Sequence, residues 1–137
     1  MIPKPAKALI DLAMKLSTGV LPEVGSPYAA ANAGMTAMLL IMLSQDSERA
    51  IANRMTDIAE LKALFGKARA FPDQDAFEAF ASAEPDSLLL ADVETLHAEG
   101  MKLLIDLHAW AESHDDGVNE EVWAFLARHA ERNRFDI

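Results

Sequence analysis

An uncharged segment of the sequence sets the strongest limit on what this chain can fold into. No charged residue occurs between Glu23 and Asp46, although the chain has 22 acidic and 12 basic residues and a net charge of −10. The segment is long enough to cross a bilayer as a helix. Its first half, however, is only weakly apolar, Asn32 and Thr36 interrupt it, and acidic rather than basic residues flank it. We therefore expect no membrane span.

A helix that is apolar on all sides is otherwise surrounded by protein. Small residues dominate positions 29–37 and would let neighbouring backbones approach closely, whereas the bulky residues of 38–43 would fill a core. The sequence therefore predicts that segment 27–43 is the central helix of a helical bundle or half of a dimer seam.

Helical periodicity and helix-forming residues dominate the rest of the chain, and short runs rich in β-branched residues are missing. The pattern predicts an all-α fold, a compact and mainly antiparallel bundle of five or six helices that forms a single domain over 1–137. The predicted helices are about 4–17, 27–43, a third that ends near Gly66, 74–83, 88–114, and a last helix capped by Asn119.

Whether 27–69 forms one bent helix or two is a separate question. No Gly or Pro that would break a helix occurs over 35–65. Side chains of Ser44, Asp46 and Ser47 can instead bond to nearby backbone groups and so compete with the helix. We favour two helices joined by a tight turn, and one long helix is the alternative.

Composition excludes several classes of function. The chain has no Cys, which excludes a disulfide framework, a Cys nucleophile and a thiolate metal site. This composition fits a reducing compartment, and we expect a cytoplasmic protein. The few cations are scattered along an acidic chain, so we expect neither nucleic acid nor an anionic membrane as a partner.

Three polar residues within the uncharged segment are candidate ligand-binding groups. Tyr28, Asn32 and Thr36 recur every four residues and therefore share one helix face. Buried polar groups require hydrogen-bond partners. Two hypotheses remain open: the three residues satisfy each other or a neighbouring helix, or they line a small-molecule pocket with an apolar floor.

The histidines of the long helix raise the question of a metal site. Glu94 and His97 form one Glu-x-x-His step, whereas a di-iron carboxylate site needs two such steps and a Glu from each of two other helices. His108 lies eleven residues after His97, about 16 Å along a helix, so one ion cannot contact both. We expect no metal, and we expect each histidine at the core boundary beside a carboxylate, Glu94 or Glu112.

Gly100 lies in the middle of the buried stripe of the same helix. Glycine within a helix costs about 1 kcal/mol relative to alanine, so its presence predicts a close helix contact. The small residues of 29–37 are the expected partner.

No catalytic motif occurs in the sequence. We therefore expect a non-enzymatic interaction or accessory domain without a cofactor, which associates with itself as a homodimer. The alternative is a small-molecule-binding protein or enzyme with an apolar pocket beside 27–43. Its candidate residues are Tyr28, Asn32, Thr36, His97 and His108, the histidines being available for acid–base chemistry.

Overall fold

The computed structural model describes residues 2–137, and none of these residues forms a strand. The all-α helical bundle predicted from the sequence is confirmed. A π-helical turn, Leu16–Val20, and a 3-10 turn, Leu21–Glu23, follow the first helix. The five α-helices of the described chain are α1 (Pro5–Lys15), α2 (Pro27–Lys67), α3 (Gln74–Ser82), α4 (Leu90–His114) and α5 (Asp116–Arg132).

Helix α2 runs without a break for 41 residues, so the turn favoured at positions 44–47 is wrong and the alternative is correct. The serine side chains do not interrupt the backbone hydrogen bonding of the helix. Ser44 Oγ donates to the carbonyl of Ile41 at 2.7 Å, and Ser47 Oγ donates to the carbonyl of Ser44 at 2.8 Å. Both hydroxyls therefore bond within the helix, which satisfies them without ending it.

The chain divides into two units. The first unit contains the residues up to Ala50 together with Phe135–Ile137, and the second unit is Ile51–Arg134. Helix α2 contributes its first part to one unit and its last part to the other. The prediction of a single domain over 1–137 stays a prediction.

The second unit has a substantial hydrophobic core, to which α2, α3, α4 and α5 all contribute. Phe65 stacks on Phe77 with ring centroids 4.3 Å apart, and it meets the edge of Phe80 at 5.5 Å. Large buried side chains of this core include Ile58, Leu61, Phe65, Phe77, Phe80, Val93, Leu107, Val122 and Phe125.

The last helix begins earlier than the sequence suggested. Asp115 caps α5, because its carboxylate accepts a hydrogen bond from the backbone N–H of Val118 at 3.0 Å. The expected cap, Asn119, lies inside the helix. A carboxylate at this position satisfies an otherwise unpaired N–H and interacts favourably with the helix dipole. Gly117 does not interrupt the helix, since no glycine among the described residues has a positive φ.

Gly100 is buried and makes the close helix contact that was predicted, but with different partners. A Cβ atom at this position would lie 2.6 Å from Cζ of Phe80 and 2.9 Å from Cδ1 of Leu61. Its neighbours are thus side chains of α3 and of the last part of α2, rather than the small residues of 29–37. A methyl group at position 100 would overlap the ends of the Phe80 and Leu61 side chains, so these buried side chains would have to shift.

Replacing Gly100 with alanine is expected to lower the melting temperature. The intrinsic gain in helix stability of about 1 kcal/mol is outweighed by overpacking, which costs about 1 to 3 kcal/mol where a well-packed core must shift. Thermal melts followed by circular dichroism compare wild type with Gly100→Ala. A control is Gly34→Ala, because a Cβ at Gly34 would meet nothing within 4 Å. A higher melting temperature for Gly100→Ala would contradict the prediction.

Candidate functional site

A buried carboxylate is the most unusual group in the second unit. Asp57, on the last part of α2, is only 1% exposed. It precedes the core residue Ile58 and lies one helical turn before Leu61. An ionised side chain in such a place is stable only when it is paired and hydrogen-bonded.

Side chains from two other helices provide that pairing. His97 of α4 places Nε2 2.8 Å from Asp57 Oδ2, and His129 of α5 places Nδ1 2.7 Å from the same oxygen. Arg132 of α5 donates to Asp57 Oδ1 from Nε at 3.1 Å and from Nη2 at 2.7 Å. The carboxylate therefore joins three helices, and both of its oxygens are bonded.

A second carboxylate completes the network. Glu60 lies three residues after Asp57, and its Oε2 accepts from Arg132 Nη2 at 2.9 Å and from Arg128 Nε at 3.3 Å. Arg132 therefore bridges two carboxylates. Such bidentate, charge-assisted bonds fix the guanidinium plane and with it the position of Asp57.

These contacts determine the protonation of the cluster. Burial raises the pKa of Asp57, but hydrogen bonds from His97, Arg132 and His129 outweigh it and lower the pKa to about 2. The pKa of Glu60 is likewise lowered, because bonds from Arg132 and Arg128 exceed the effect of burial. Burial lowers the pKa of Arg132, but the bonds to Glu60 and Asp57 outweigh burial, so the pKa of Arg132 is raised above its usual value. Both carboxylates are therefore ionised at neutral pH.

The cluster opens onto a surface pocket of about 420 Å³. The His97 and His129 rings stand beside each other there, with centroids 6.0 Å apart and planes 24° from parallel. The residues that line the pocket are Arg54, Asp57, Glu94, His97, Ala98, His129 and Asn133. A small ligand can therefore reach the two imidazoles from solvent, whereas the carboxylate of Asp57 behind them is only 1% exposed.

The histidines named from the sequence have different surroundings. His97 pairs with Asp57 rather than with Glu94, which instead lies 3.0 Å from Arg54. His108 does have its expected carboxylate, with Nε2 3.7 Å from Glu112 Oε1. That nitrogen is buried and has no hydrogen-bond partner within 2–137, and the ring meets Trp123 edge-on at 5.2 Å. His108 is not part of the Asp57 cluster.

Four residues of the cluster were not identified from the sequence, because they lie on separate helices and no local spacing connects them: Asp57, Glu60, His129 and Arg132. A usable signal was present. Asp57 falls on the apolar stripe of its helix, and His129 falls on the inner stripe of the last helix. A charged residue on a core-facing stripe needs a partner from another helix.

None of the protein-family models, curated proteins or solved structures compared with this chain matches it.

The first unit carries a second candidate surface, which we call the apolar stripe: Tyr28, Met35, Met38, Leu39, Met42 and Leu43. Intervals of seven, four and three residues place Tyr28, Met35, Leu39 and Met42 on one face of α2. Met35 is 64% exposed and Leu39 is 54% exposed. The buried residues Ala37 and Ser44 lie on the opposite face of the helix.

The polar residues proposed for a pocket lie along this surface and are exposed. Tyr28 is 78% exposed, and Asn32 and Thr36 are exposed as well, so their expected burial is wrong for the described chain. Thr36 Oγ1 donates to the carbonyl of Asn32 at 2.8 Å. The hydroxyl is thus satisfied within its own helix, and the ligand-binding role of the three residues stays a prediction.

Within residues 2–137, α2 is the one helix long and apolar enough to cross a membrane. Its most apolar window has a mean hydropathy of 1.2, and 11% of that window is buried. Length and composition alone are weak evidence, because the core helices of other proteins pass the same test. Within the first unit, Met35, Met38, Leu39 and Leu43 of α2 are each at least half exposed.

Proposed function

We propose that this protein is a non-enzymatic helical interaction domain that associates with itself, and that a second copy of the chain covers the apolar stripe of the first unit. The observation that carries the proposal is the exposure of this stripe on a helix that is apolar on all sides. Monomeric proteins rarely expose contiguous apolar patches of this size, and such patches usually mark an interface.

The exposed side chains of the stripe can contribute to a dimer contact. Five of them are each at least half exposed: Tyr28, Met35, Met38, Leu39 and Leu43. A standard interface buries about 800 Å² per partner. Further apolar side chains of the same unit, which are each about half exposed, can add to this contact: Ile10, Leu12, Met14 and Val20. These side chains together supply the apolar surface that we propose is buried in the homodimer.

The distribution of charge also favours a second copy. The first unit has four Lys or Arg residues and five Asp or Glu residues, whereas the second unit has eight and 17. Two first units can thus approach with little repulsion, while acidic second units repel each other. A two-fold interface brings the same patch of both subunits together, and an uncharged stripe of Met and Leu is complementary to itself.

A lipid bilayer is the competing occupant of the same surface. Asn32 and Thr36 lie beside the stripe, and the nearest charged residues, Glu23 and Asp46, are acidic. Membrane-spanning helices instead have basic residues that orient them, and an acidic chain is repelled by anionic lipid. A small molecule bound beside 27–43 is the other alternative. Such a site could be formed by a single chain, without a dimer.

The molar mass of the purified protein tests the proposal. Light scattering on the peak eluting from a size-exclusion column should give twice the chain mass of 14.9 kDa. We expect dissociation only on strong dilution, because burial of this much apolar surface stabilises the pair. A monomer mass over a wide concentration range would overturn the proposal. Co-sedimentation with phosphatidylcholine and phosphatidylglycerol vesicles, and native mass spectrometry, would then distinguish lipid from a small molecule.

A further inference from the structure

We infer that Asp57, His97 and His129 form a binding site for one divalent first-row transition-metal ion, which would use Asp57 Oδ2, His97 Nε2 and His129 Nδ1 as ligands. This inference does not depend on self-association, since all three residues belong to the second unit. It also differs from the sets considered from the sequence, which paired His97 with Glu94 or with His108.

The three ligand atoms already converge. All three lie within 4.8 Å of one another, and each nitrogen is 2.7 to 2.8 Å from the shared oxygen. A four- to six-coordinate ion about 2.1 Å from each ligand keeps neighbouring ligand atoms about 3.0 to 3.4 Å apart. Small side-chain rotations therefore suffice to admit an ion. The two N–H bonds to Asp57 would be replaced by metal bonds, and each imidazole would carry its proton on its other nitrogen.

Surrounding groups orient these ligands. Arg132 holds the other oxygen of Asp57, and this leaves Oδ2 directed at the histidines. Such outer contacts raise the precision and affinity of metal sites. The nearby cations do not leave a net positive charge, because Arg132 is paired with Glu60 and Arg54 lies 3.0 Å from Glu94.

The kind of metal follows from the ligand types. Imidazole nitrogen suits zinc, copper, iron and nickel, whereas calcium and magnesium prefer oxygen ligands alone. Two histidines and one carboxylate leave coordination positions vacant, and the 420 Å³ pocket lies on the solvent side of both imidazoles. Water or an anionic small molecule can occupy those positions.

Equilibrium dialysis of tag-free protein, stripped with a chelator and exchanged into metal-free buffer, tests the inference with Co²⁺ and Zn²⁺. We expect roughly one ion per chain, and the visible absorption of bound Co²⁺ should report nitrogen coordination. His97→Gln and His129→Gln should each weaken binding by at least about tenfold. His108→Gln is the matched control, because His108 is on the same helix as His97 but outside the cluster.

Two outcomes would overturn the inference. One is the absence of saturable binding, which would mean that the cluster is only a hydrogen-bonded structural network. The other is binding that His97→Gln and His129→Gln leave unchanged, which would place the ion elsewhere. Circular dichroism of each variant ensures that lost binding is not lost folding, and a variant that fails to fold is replaced by His97→Asn or His129→Asn.

Discussion

Asp57→Asn should lower the free energy of unfolding by about 3 kcal/mol, the largest stability effect that we expect of any single polar substitution in this chain. The amide keeps the size of the side chain but removes its charge. Arg132 then loses one of its two carboxylates, and both histidines lose an ionised acceptor. Removing one member of a buried ion pair is costly, because the remaining partner stays desolvated without compensation.

Urea denaturation of metal-free protein, followed by circular dichroism, measures this change. Asp106→Asn is the matched control: Asp106 is an exposed aspartate of α4, and its substitution should change stability by less than about 0.5 kcal/mol. Equal stability of wild type and Asp57→Asn would show that the network contributes nothing net to folding.

Leu39→Glu is expected to convert the dimer into a monomer. In a two-fold interface each substitution occurs twice, so two carboxylates would be buried without partners. At about 1.4 kcal/mol for each factor of ten, we expect the dissociation constant to rise about a thousandfold or more. The fold of each chain should be unchanged, because Leu39 is 54% exposed within the chain and Glu is a good helix former.

Analytical ultracentrifugation over a range of concentrations measures the dissociation constant. Ile105→Glu is the control, because Ile105 is an equally apolar side chain, 69% exposed, on α4 of the second unit. That variant should remain a dimer. If Leu39→Glu stays dimeric, the seam lies elsewhere and the apolar stripe has another role.

The fold class and most helix positions follow from local patterns in the sequence. The predicted helices 74–83 and 88–114 correspond closely to α3 and α4, because a periodic apolar face and local breaks such as "FPDQD" and "EPDS" act over a few residues. Gly100 was recognised as a packing contact for the same reason: a residue unfavourable in a helix interior needs a compensating contact. The boundary at 44–47 was wrong, because serine hydroxyls can bond to the backbone within a helix as well as end it.

Which side chains contact each other depends on the packing of helices that are distant in the sequence. Asp57 lies 40 residues before its partner His97 and 72 residues before its partner His129 in the sequence. No local pattern encodes contacts between residues so far apart. The same holds for the partners of Gly100, which came from α3 and the last part of α2. Composition alone indicated that segment 27–43 needs to be covered by apolar surroundings. Which of its faces the chain itself covers depends on packing between helices, and that packing leaves the apolar stripe exposed.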